Sequence, residues 1–255
     1  MTAITTIKNR YKTNFLKKVV LRLDFEQAQL SQLPKLLKEE NFKKYFPIGG
    51  EKKGEEGMID IDFKTKKVNQ VSNPITTWEF RNEKDTKKFI IHPRFLVVEY
   101  KEYSDSKELL IHTSIVSNFI KNFDIKTINR LGLRYVNEIV LQGKDFLSWD
   151  EYIDEKLLGS LKFAISNKKI LSRAMSTMVF KEENNNINFS YGIWNSNYPA
   201  EIREKIFILD FDASSKYPID AKEADLSSIV KEYNQNIENI FENTIKEGLR
   251  KILKK

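Results

Sequence analysis

Two arginines flank a glycine in the segment Arg130-Leu131-Gly132-Leu133-Arg134. If this segment is a β-strand, Arg130, Gly132 and Arg134 share one face, because successive side chains of a strand point to opposite sides. The glycine would leave backbone exposed between two planar guanidinium groups. Each guanidinium can hold a carboxylate or a phosphate through two hydrogen bonds. The pattern therefore predicts a site for an anion or a partner, formed by Arg130, Gly132 and Arg134.

A structural role for the same arginines is equally compatible with the sequence. Internal cross-strand ion pairs with Asp24, Glu99 or Asp210 would satisfy the same guanidinium chemistry. Asn137 would lie on the opposite face of the strand, where a hydrogen bond at the strand end is its expected role. The two interpretations differ in whether the guanidinium groups meet a partner outside the molecule.

A second charged pattern alternates along the chain at Asp60, Asp62 and Lys64. On one face of a strand, Asp60 and Asp62 could hold Mg²⁺ together with a substrate phosphate, and Lys64 could neutralise charge in the transition state. These residues are the candidate catalytic and metal-binding groups of an enzyme hypothesis. An antiparallel strand with one polar face gives the same alternation, and that interpretation is favoured.

Residue counts exclude several kinds of catalytic site. The chain has no cysteine and two histidines, His92 and His112, which excludes thiol chemistry, disulfides and a three-histidine metal site. It contains no Gly-x-Ser-x-Gly, Gly-x-Gly-x-x-Gly or Gly-Lys-Ser/Thr motif, which argues against a serine hydrolase of that type and against conventional nucleotide binding. We therefore expect a non-catalytic protein without a cofactor.

Composition predicts a folded, basic protein. The 255 residues include 17 Phe and 10 Tyr and carry a net charge of +7, from 43 basic and 36 acidic residues. Such a charge favours acidic partners but also fits a mixed solvated surface. No run approaches the roughly 18–20 apolar residues of a membrane span. Residues 1–18 lack the apolar core of a signal peptide, so we expect a cytoplasmic protein that does not enter membranes.

Aromatic residues are expected mainly in the core. Trp78 and Phe80 share a predicted strand face and could stack on RNA bases, although packing between a sheet and helices is the favoured interpretation. Trp194, between a predicted strand and Asn197-Tyr198-Pro199, is the candidate aromatic contact at a rim or an interface.

Hydrophobic periodicity predicts an α+β fold with a mostly antiparallel sheet. Strands are expected near residues 19–25, 58–65, 75–82, 89–91, 95–103, 128–141, 175–182, 187–194 and 206–211. Helices are expected at residues 27–42, 107–122, 146–158 and 225–253, the last carrying a continuous apolar stripe. Residues 49–57, which are rich in glycine and charge, are predicted to form a loop.

The predicted organisation is a single globular unit, residues 1–255, with a long C-terminal helix laid against the sheet. Two closely packed halves, residues 19–145 and 146–255, are suggested by a short echo. Leu21-Arg22-Leu23-Asp24-Phe25 and Ile208-Leu209-Asp210-Phe211-Asp212 each precede a predicted helix.

The chain resembles a sporadically distributed prokaryotic family of uncharacterised proteins of about this length. The resemblance rests on Trp78-Glu79-Phe80, on residues 95–99 with Tyr103, on residues 209–212 and above all on the strand motif of residues 130–137, Arg-Leu-Gly-Leu-Arg-Tyr-Val-Asn. It implies a cytoplasmic accessory protein, such as those of defence or toxin–antitoxin-like systems, and brings no activity or catalytic residues. A histidine is expected near the start of the terminal helix, where this chain has Tyr233 and Asn234.

The sequence thus favours a recognition protein that binds a protein or RNA partner through Arg130, Gly132 and Arg134. The alternative is a divalent-metal-dependent phosphohydrolase or nuclease that uses Asp60, Asp62 and Lys64. The oligomeric state is left open.

Overall fold

The structure, a computed structural model, describes residues 11–62 and 67–255, with side chains described for residues 11–57 and 72–255. The strands are β1 (Leu16–Phe25), β2 (Ile48–Asp62), β3 (Lys67–Arg81), β4 (Lys87–His92), β5 (Phe95–Tyr100), β6 (Thr127–Leu141), β7 (Ala174–Lys181), β8 (Asn185–Ile193), β9 (Lys205–Ser215) and β10 (Ile219–Asp220). The helices are α1 (Leu33–Leu36), α2 (Glu40–Tyr45), α3 (Ser106–Asn122), α4 (Gly159–Ser166), α5 (Leu226–Thr244) and α6 (Glu247–Leu253).

The strands form one sheet in the order β2-β3-β4-β5-β1-β6-β9-β8-β7, with β10 paired to β6. Every strand pairing in the described ranges is antiparallel. The predicted α+β class, with its mostly antiparallel sheet and C-terminal helix, is confirmed. Strands β1 and β6 lie side by side at the centre.

The order of elements repeats on the two sides of this centre. From β1 outward the strands are β5, β4 and β3, and from β6 outward they are β9, β8 and β7. Each half starts with its central strand, continues through helix and three strands, and ends with a long helix, α3 or α5; β2 is an additional edge strand. The repeat divides between Asn122 and Thr127, earlier than the 145/146 division expected from sequence. The echoing pentapeptides lie in β1 and β9, which are not equivalent strands of this repeat.

One face of the sheet carries the core. Leu21 of β1, Leu133 of β6 and Phe211 of β9 are fully buried on this face, and helices α3 and α5 pack against it and each other. Alternate residues of the same strands point to the opposite face, which is partly exposed. Within the described ranges, no helix combines the length and apolar character that crossing a bilayer requires.

The predicted loop at residues 49–57 is wrong, because these residues belong to strand β2. The whole strand pairs with β3, and Gly49 lies opposite Phe80. A Cβ atom at Gly49 would lie 2.1 Å from the carbonyl oxygen of Glu79, and its φ of +149° also favours glycine. Here the glycine permits close approach of two strands rather than marking a turn.

Two predicted helices are interrupted. In place of the helix predicted at residues 27–42, the chain forms the short helices α1 and α2, with Glu39 in an extended conformation just before α2, which continues to Tyr45. The predicted helix at residues 225–253 is divided at Ile245, which is extended and pairs with Ile153 in an isolated β-bridge. That bridge joins the helix end to the segment after β6, a contact between residues distant in sequence.

Candidate functional site

Strand β6 places Arg130 and Arg134 on the partly exposed face of the sheet. Arg134 lies opposite Val20 of β1 and Asp212 of β9, and Arg130 lies opposite Asp24 of β1. The predicted common face for the two arginines is therefore present at the centre of the sheet. Leu131 and Leu133 point into the core on the other face.

Both arginines are paired with aspartates inside the molecule. Nε and Nη2 of Arg134 donate to the two carboxylate oxygens of Asp210 at 2.8 and 2.6 Å. Nη2 of Arg130 donates to both oxygens of Asp212 at 2.9 and 3.0 Å, and Nη1 of Arg130 lies 4.0 Å from Oδ2 of Asp24. Of the internal partners expected from sequence, Asp210 pairs with Arg134 and Asp24 lies near Arg130, whereas Asp212 is an additional partner.

A third pair extends this arrangement along β1. Nε and Nη2 of Arg22 donate to Oδ1 of Asp24 at 2.9 and 2.6 Å. We call the six side chains together the arginine–aspartate cluster; it consists of Arg22, Asp24, Arg130, Arg134, Asp210 and Asp212. Glu99, the remaining acid considered from sequence, instead pairs with Lys18 at 2.9 Å.

The cluster remains in contact with solvent. The side chain of Arg134 is 51% exposed and that of Arg130 is 36% exposed. Among the described residues, none accepts a hydrogen bond from Nη1 of Arg134, so one edge of this guanidinium keeps its donors for another molecule. Pairing therefore fixes the orientation of Arg134 without using all of its donors.

Burial and charge act in opposite directions within the cluster. Burial raises the pKa of Asp212 above its ordinary value, although Arg130 and Arg134 act to lower it. The hydrogen bonds that Arg134 donates to Asp210 raise the pKa of the Arg134 guanidinium. The Arg134 guanidinium is thus held in its charged form, whereas Asp212 lies in an environment that resists ionisation.

Gly132 does not expose its backbone as the sequence suggested. It is buried, and the guanidinium of Arg130 occupies the space above it, 2.4 Å from the position of a Cβ atom. Gly132 therefore acts on the site through Arg130, by leaving room for its guanidinium.

Apolar and neutral side chains border the cluster on this face toward β7, whereas the Lys18–Glu99 pair borders it toward β5. In one row across the sheet, Arg134 of β6 is followed by Asp212 of β9, Asn188 of β8 and Val179 of β7. Val179 is 54% exposed, and Val140 of β6 is 45% exposed. The face combines fixed charges, amide groups and exposed aliphatic carbon, as protein-binding surfaces do.

The candidate metal-binding residues lie elsewhere in the sheet. The backbones of Asp60 and Asp62 pair with Asn69 and Lys67 in the β2–β3 hairpin, beyond the part of β3 that pairs with β4. Their side chains and all of Lys64 lie outside the described residues. Strands β3, β4, β5 and β1 separate β2 from β6, so these backbone positions are not brought together with the arginines. Among the side chains that are described, no three His, Asp or Glu residues are grouped to hold a metal ion.

Trp194 forms an exposed cation–π stack. Its ring is 42% exposed, and the guanidinium carbon of Arg173 lies 4.1 Å from its centre and 4.4 Å from the centre of the Tyr198 ring. This arrangement holds the indole at the surface after β8. The contact of Trp194 with a partner stays a prediction.

The opposite face of the arginine strand carries residues that sequence reasoning did not select. The hydroxyl of Tyr135 donates to Oδ1 of Asn234 on α5 at 2.7 Å and lies 3.0 Å from the hydroxyl oxygen of Tyr103. Asn234 thus occupies the region where the resemblance suggested a histidine. The alternation that placed Tyr135 in the core was visible in the sequence, but the identity of its partner on α5 was not.

Comparisons with known proteins add no family assignment. No family model, no curated protein and no solved structure matched this chain. The function proposed below is therefore supported by the geometry of the described residues.

Proposed function

We propose that this chain is a non-catalytic recognition protein that binds another protein on the exposed sheet face around the arginine–aspartate cluster. The observation that carries the proposal is Arg134: Asp210 fixes its guanidinium, half of its side chain is exposed, and Nη1 is not used by a described residue. An oriented arginine loses little freedom on binding, and arginine is common among the residues that dominate binding energy.

A protein partner fits this face better than RNA. The cluster contains three arginines and three aspartates, so its formal charges cancel. Phosphate backbones are bound by an excess of positive charge, whereas a partner protein can offer a carboxylate to Arg134 and apolar groups to Val140 and Val179. Binding of RNA is therefore the alternative outcome of the experiment below, and it would contradict the proposal.

We further propose a cytoplasmic accessory role, supported by the absence of cysteine from the sequence and by the resemblance of the arginine-strand motif. The metal-dependent enzyme alternative depends on Asp60, Asp62 and Lys64, and no described contact favours it.

The experiment begins with a photo-crosslinking amino acid at Asn188, next to Asp212 on the exposed face. A second sample carries it at Ile111 on α3, which is 41% exposed on the helical side. Crosslinking is done in cells, and the products are identified by mass spectrometry. We expect one protein to be crosslinked from position 188 and not from position 111. If nuclease instead destroys the crosslinked products from position 188, the partner is RNA and the proposed protein partner is wrong.

The purified partner is then titrated against variants. Arg130→Ala with Arg134→Ala should weaken binding by about 2 kcal/mol or more, roughly 30-fold. The matched control is Arg94→Ala with Lys162→Ala, which removes two other paired cations that are 49% and 48% exposed. Equal affinities for the two double variants, with unchanged circular dichroism and melting temperature, would reject the proposed site.

A further inference from the structure

Strand β7 forms one edge of the sheet, and the outer side of this strand is open. In the strand order β7 is the last member, and it pairs only with β8. Within the part of the chain that the structure describes, no backbone hydrogen bond reaches the outer side of β7. An edge of this kind offers its N–H and C=O groups to any other strand that can align with it.

The turn after β7 shows which residues direct their backbone groups outward. The backbone nitrogen of Glu182 donates to the carbonyl oxygen of Asn185 at 2.9 Å, so the backbone of Glu182 faces β8. This direction alternates from residue to residue along a strand of an antiparallel pair. The backbone groups that point away from β8 therefore belong to the exposed residues Met175, Thr177, Val179 and Lys181.

The two edges of the sheet differ in composition. Natural edge strands are commonly protected from other chains by charged side chains. The edge strand β2 has this protection, since it carries Glu51, Lys52, Lys53, Glu55 and Glu56. In β7 the only charged residue is the last one, Lys181, and the strand contains neither glycine nor proline. Strand β7 therefore lacks the usual features that prevent an edge from pairing.

The charges at the two ends of β7 point to a second copy of this chain as the partner. Lys168 and Lys169 precede the strand, and Glu182 and Glu183 follow it. All of these residues are exposed, and none of them takes part in a salt bridge with another described residue. When two copies of β7 align antiparallel, the lysines of each copy lie beside the glutamates of the other. A parallel alignment would bring like charges together.

One antiparallel register uses every outward-facing backbone group of β7. It places Thr177 of one copy opposite Val179 of the second copy, and Met175 opposite Lys181, with two hydrogen bonds in each of these pairs. Met178 then lies on the two-fold axis, opposite Met178 of the second copy. A shift by two residues in either direction would place Met175 or Lys181 opposite a residue outside the strand. Thr177 and Val179 are both β-branched, a type that pairs well across strands.

We propose that the protein forms a two-fold symmetric homodimer by antiparallel pairing of β7 with β7 of a second copy. The two sheets then continue into one another, with their open faces on the same side, because residues opposite each other in paired strands share a face. The edges that remain are the charged β2 strands, so assembly stops at the dimer. The dimer does not depend on the arginine–aspartate cluster, which lies in β1, β6 and β9.

Sedimentation equilibrium of the full chain measures the association over a roughly hundredfold range of protein concentration. We expect a reversible equilibrium between monomer and dimer, with no larger species. A monomer at every concentration would overturn the proposal, and so would growth beyond the dimer.

Two exposed valines of the open sheet face provide a matched pair of variants. Val179 is 54% exposed on the edge strand β7, and Val140 is 45% exposed on β6, which has neighbours on both sides. Val179→Lys should weaken dimerisation at least about tenfold, because lysine on an edge strand disfavours pairing. Val140→Lys should leave dimerisation unchanged. Equal effects of the two variants would show that association uses the open face and not the edge, and would reject the proposal.

A cysteine at the two-fold axis tests the register, because the chain has no cysteine of its own. In the proposed register position 178 lies opposite itself, within the span of a disulfide. The two copies of position 176 are separated by about four residues of strand, roughly 13 Å. Met178→Cys should therefore give a disulfide-linked dimer under mild oxidation, and Ser176→Cys should not. Both positions are half-buried on the same face of β7, so equally efficient crosslinking of the two variants would reject this pairing.

Charge reversal tests the complementarity of the strand ends. Glu182→Lys with Glu183→Lys should weaken dimerisation, because both ends of each strand are then basic. Adding Lys168→Glu and Lys169→Glu to the same chain should restore dimerisation, since the charges are then only exchanged between the two ends. If the fourfold variant has an unchanged melting temperature and still fails to dimerise, antiparallel pairing of two copies is wrong.

Discussion

The guanidinium of Arg130 lies over the α-carbon of Gly132, two residues further along the same strand. A Cβ atom at Gly132 would be 2.4 Å from Nη1 and 2.8 Å from Cζ of Arg130. Because this space is open, the side chain of Arg130 runs along its own strand and reaches Asp212, which lies opposite Arg134. Because Gly132 leaves this space open, Arg130 can bind Asp212 while Arg134 binds Asp210 of the same strand, β9.

Replacing Gly132 with alanine should displace Arg130 without preventing folding. The methyl group collides with the end of a flexible side chain rather than with backbone, so the guanidinium can move away and lose its bonds to Asp212. We expect the free energy of unfolding to fall by about 1 kcal/mol, as for the loss of one hydrogen-bonded pair. Urea unfolding measures this change, and partner affinity should fall with it.

Gly54→Ala is the matched control for this variant. Gly54 also lies in a strand, but a Cβ atom there would meet no atom within 4 Å. Alanine is generally favoured over glycine in a strand by roughly 0.5–1 kcal/mol, so Gly54→Ala should preserve or increase stability. If Gly132→Ala behaves in the same way, the room above Gly132 does not position Arg130.

Asp212→Asn should be tolerated better at neutral pH than in acid, although it removes a partner of Arg130. Burial raises the pKa of Asp212 in the folded state, so the folded protein holds the proton more readily than the unfolded chain. The unmodified protein therefore loses stability as pH rises through the folded-state pKa, and the asparagine variant does not. Relative to the unmodified protein, the variant should gain stability from acid to neutral pH.

Urea unfolding between pH 3.5 and pH 7 checks this prediction, with Asp210→Asn as the comparison. Asp210 orients Arg134 through two hydrogen bonds, and its loss should cost up to about 1 kcal/mol because the pair is partly exposed. Should Asp212→Asn instead lose stability relative to the unmodified protein as the pH rises, the attraction of Arg130 outweighs burial.

The sequence predicted the elements whose pattern is long and regular. Strand β6 was expected at residues 128–141 from its alternation, and α5 was expected from a stripe that includes Val230, Tyr233 and Ile237. Both signals are local, because alternate residues of a strand and every third or fourth residue of a helix face the same core. The alternation alone therefore predicts that the two arginines share one face of β6, opposite Leu131 and Leu133.

Features that depend on pairing between distant segments were not predicted. Residues 49–57 have few strand-favouring side chains, and β2 forms because β3 pairs with it along its whole length. Asp212 was not among the acids considered for Arg130, since the choice between Asp210 and Asp212 depends on the register of β6 and β9. The cavity lined by Tyr103, Tyr135 and Asn234 was not predicted, because its lining comes from segments far apart in the chain.

His112 should make the protein less stable in mild acid. It is fully buried, its Nδ1 lies 2.8 Å from the hydroxyl oxygen of Tyr100, and burial lowers its pKa to about 4, with Glu108 opposing and Lys87 adding to the effect. The unfolded chain binds the proton near pH 6.5, so stability falls as the pH drops from about 6.5 to about 4. The full loss amounts to about 3 kcal/mol.

His112→Phe should flatten this dependence, because the ring fits the surrounding aromatic core but does not titrate. The slope of the unfolding free energy against pH is the measurement, since the variant also removes the partner of Tyr100 and so changes stability at every pH. Burial also lowers the pKa of His92, so His112→Phe should retain the part of the pH dependence that His92 causes. An unchanged slope in His112→Phe would show that another group causes the acid lability.

The hydrogen bond from Tyr135 to Asn234 should contribute about 1 kcal/mol to the attachment of α5 to the sheet. It is 2.7 Å long and joins residues 99 positions apart in the chain. Tyr135→Phe, Asn234→Ala and the double variant form a double-mutant cycle, measured by urea unfolding. Because alanine favours a helix in both backgrounds, that effect cancels in the coupling energy.

We expect a positive coupling of about 0.5–1.5 kcal/mol between Tyr135 and Asn234. The control variant Tyr217→Phe, at a tyrosine that is 59% exposed, should leave stability unchanged. Additive effects of Tyr135→Phe and Asn234→Ala would mean that packing of the ring, and not the hydroxyl, holds α5 in place.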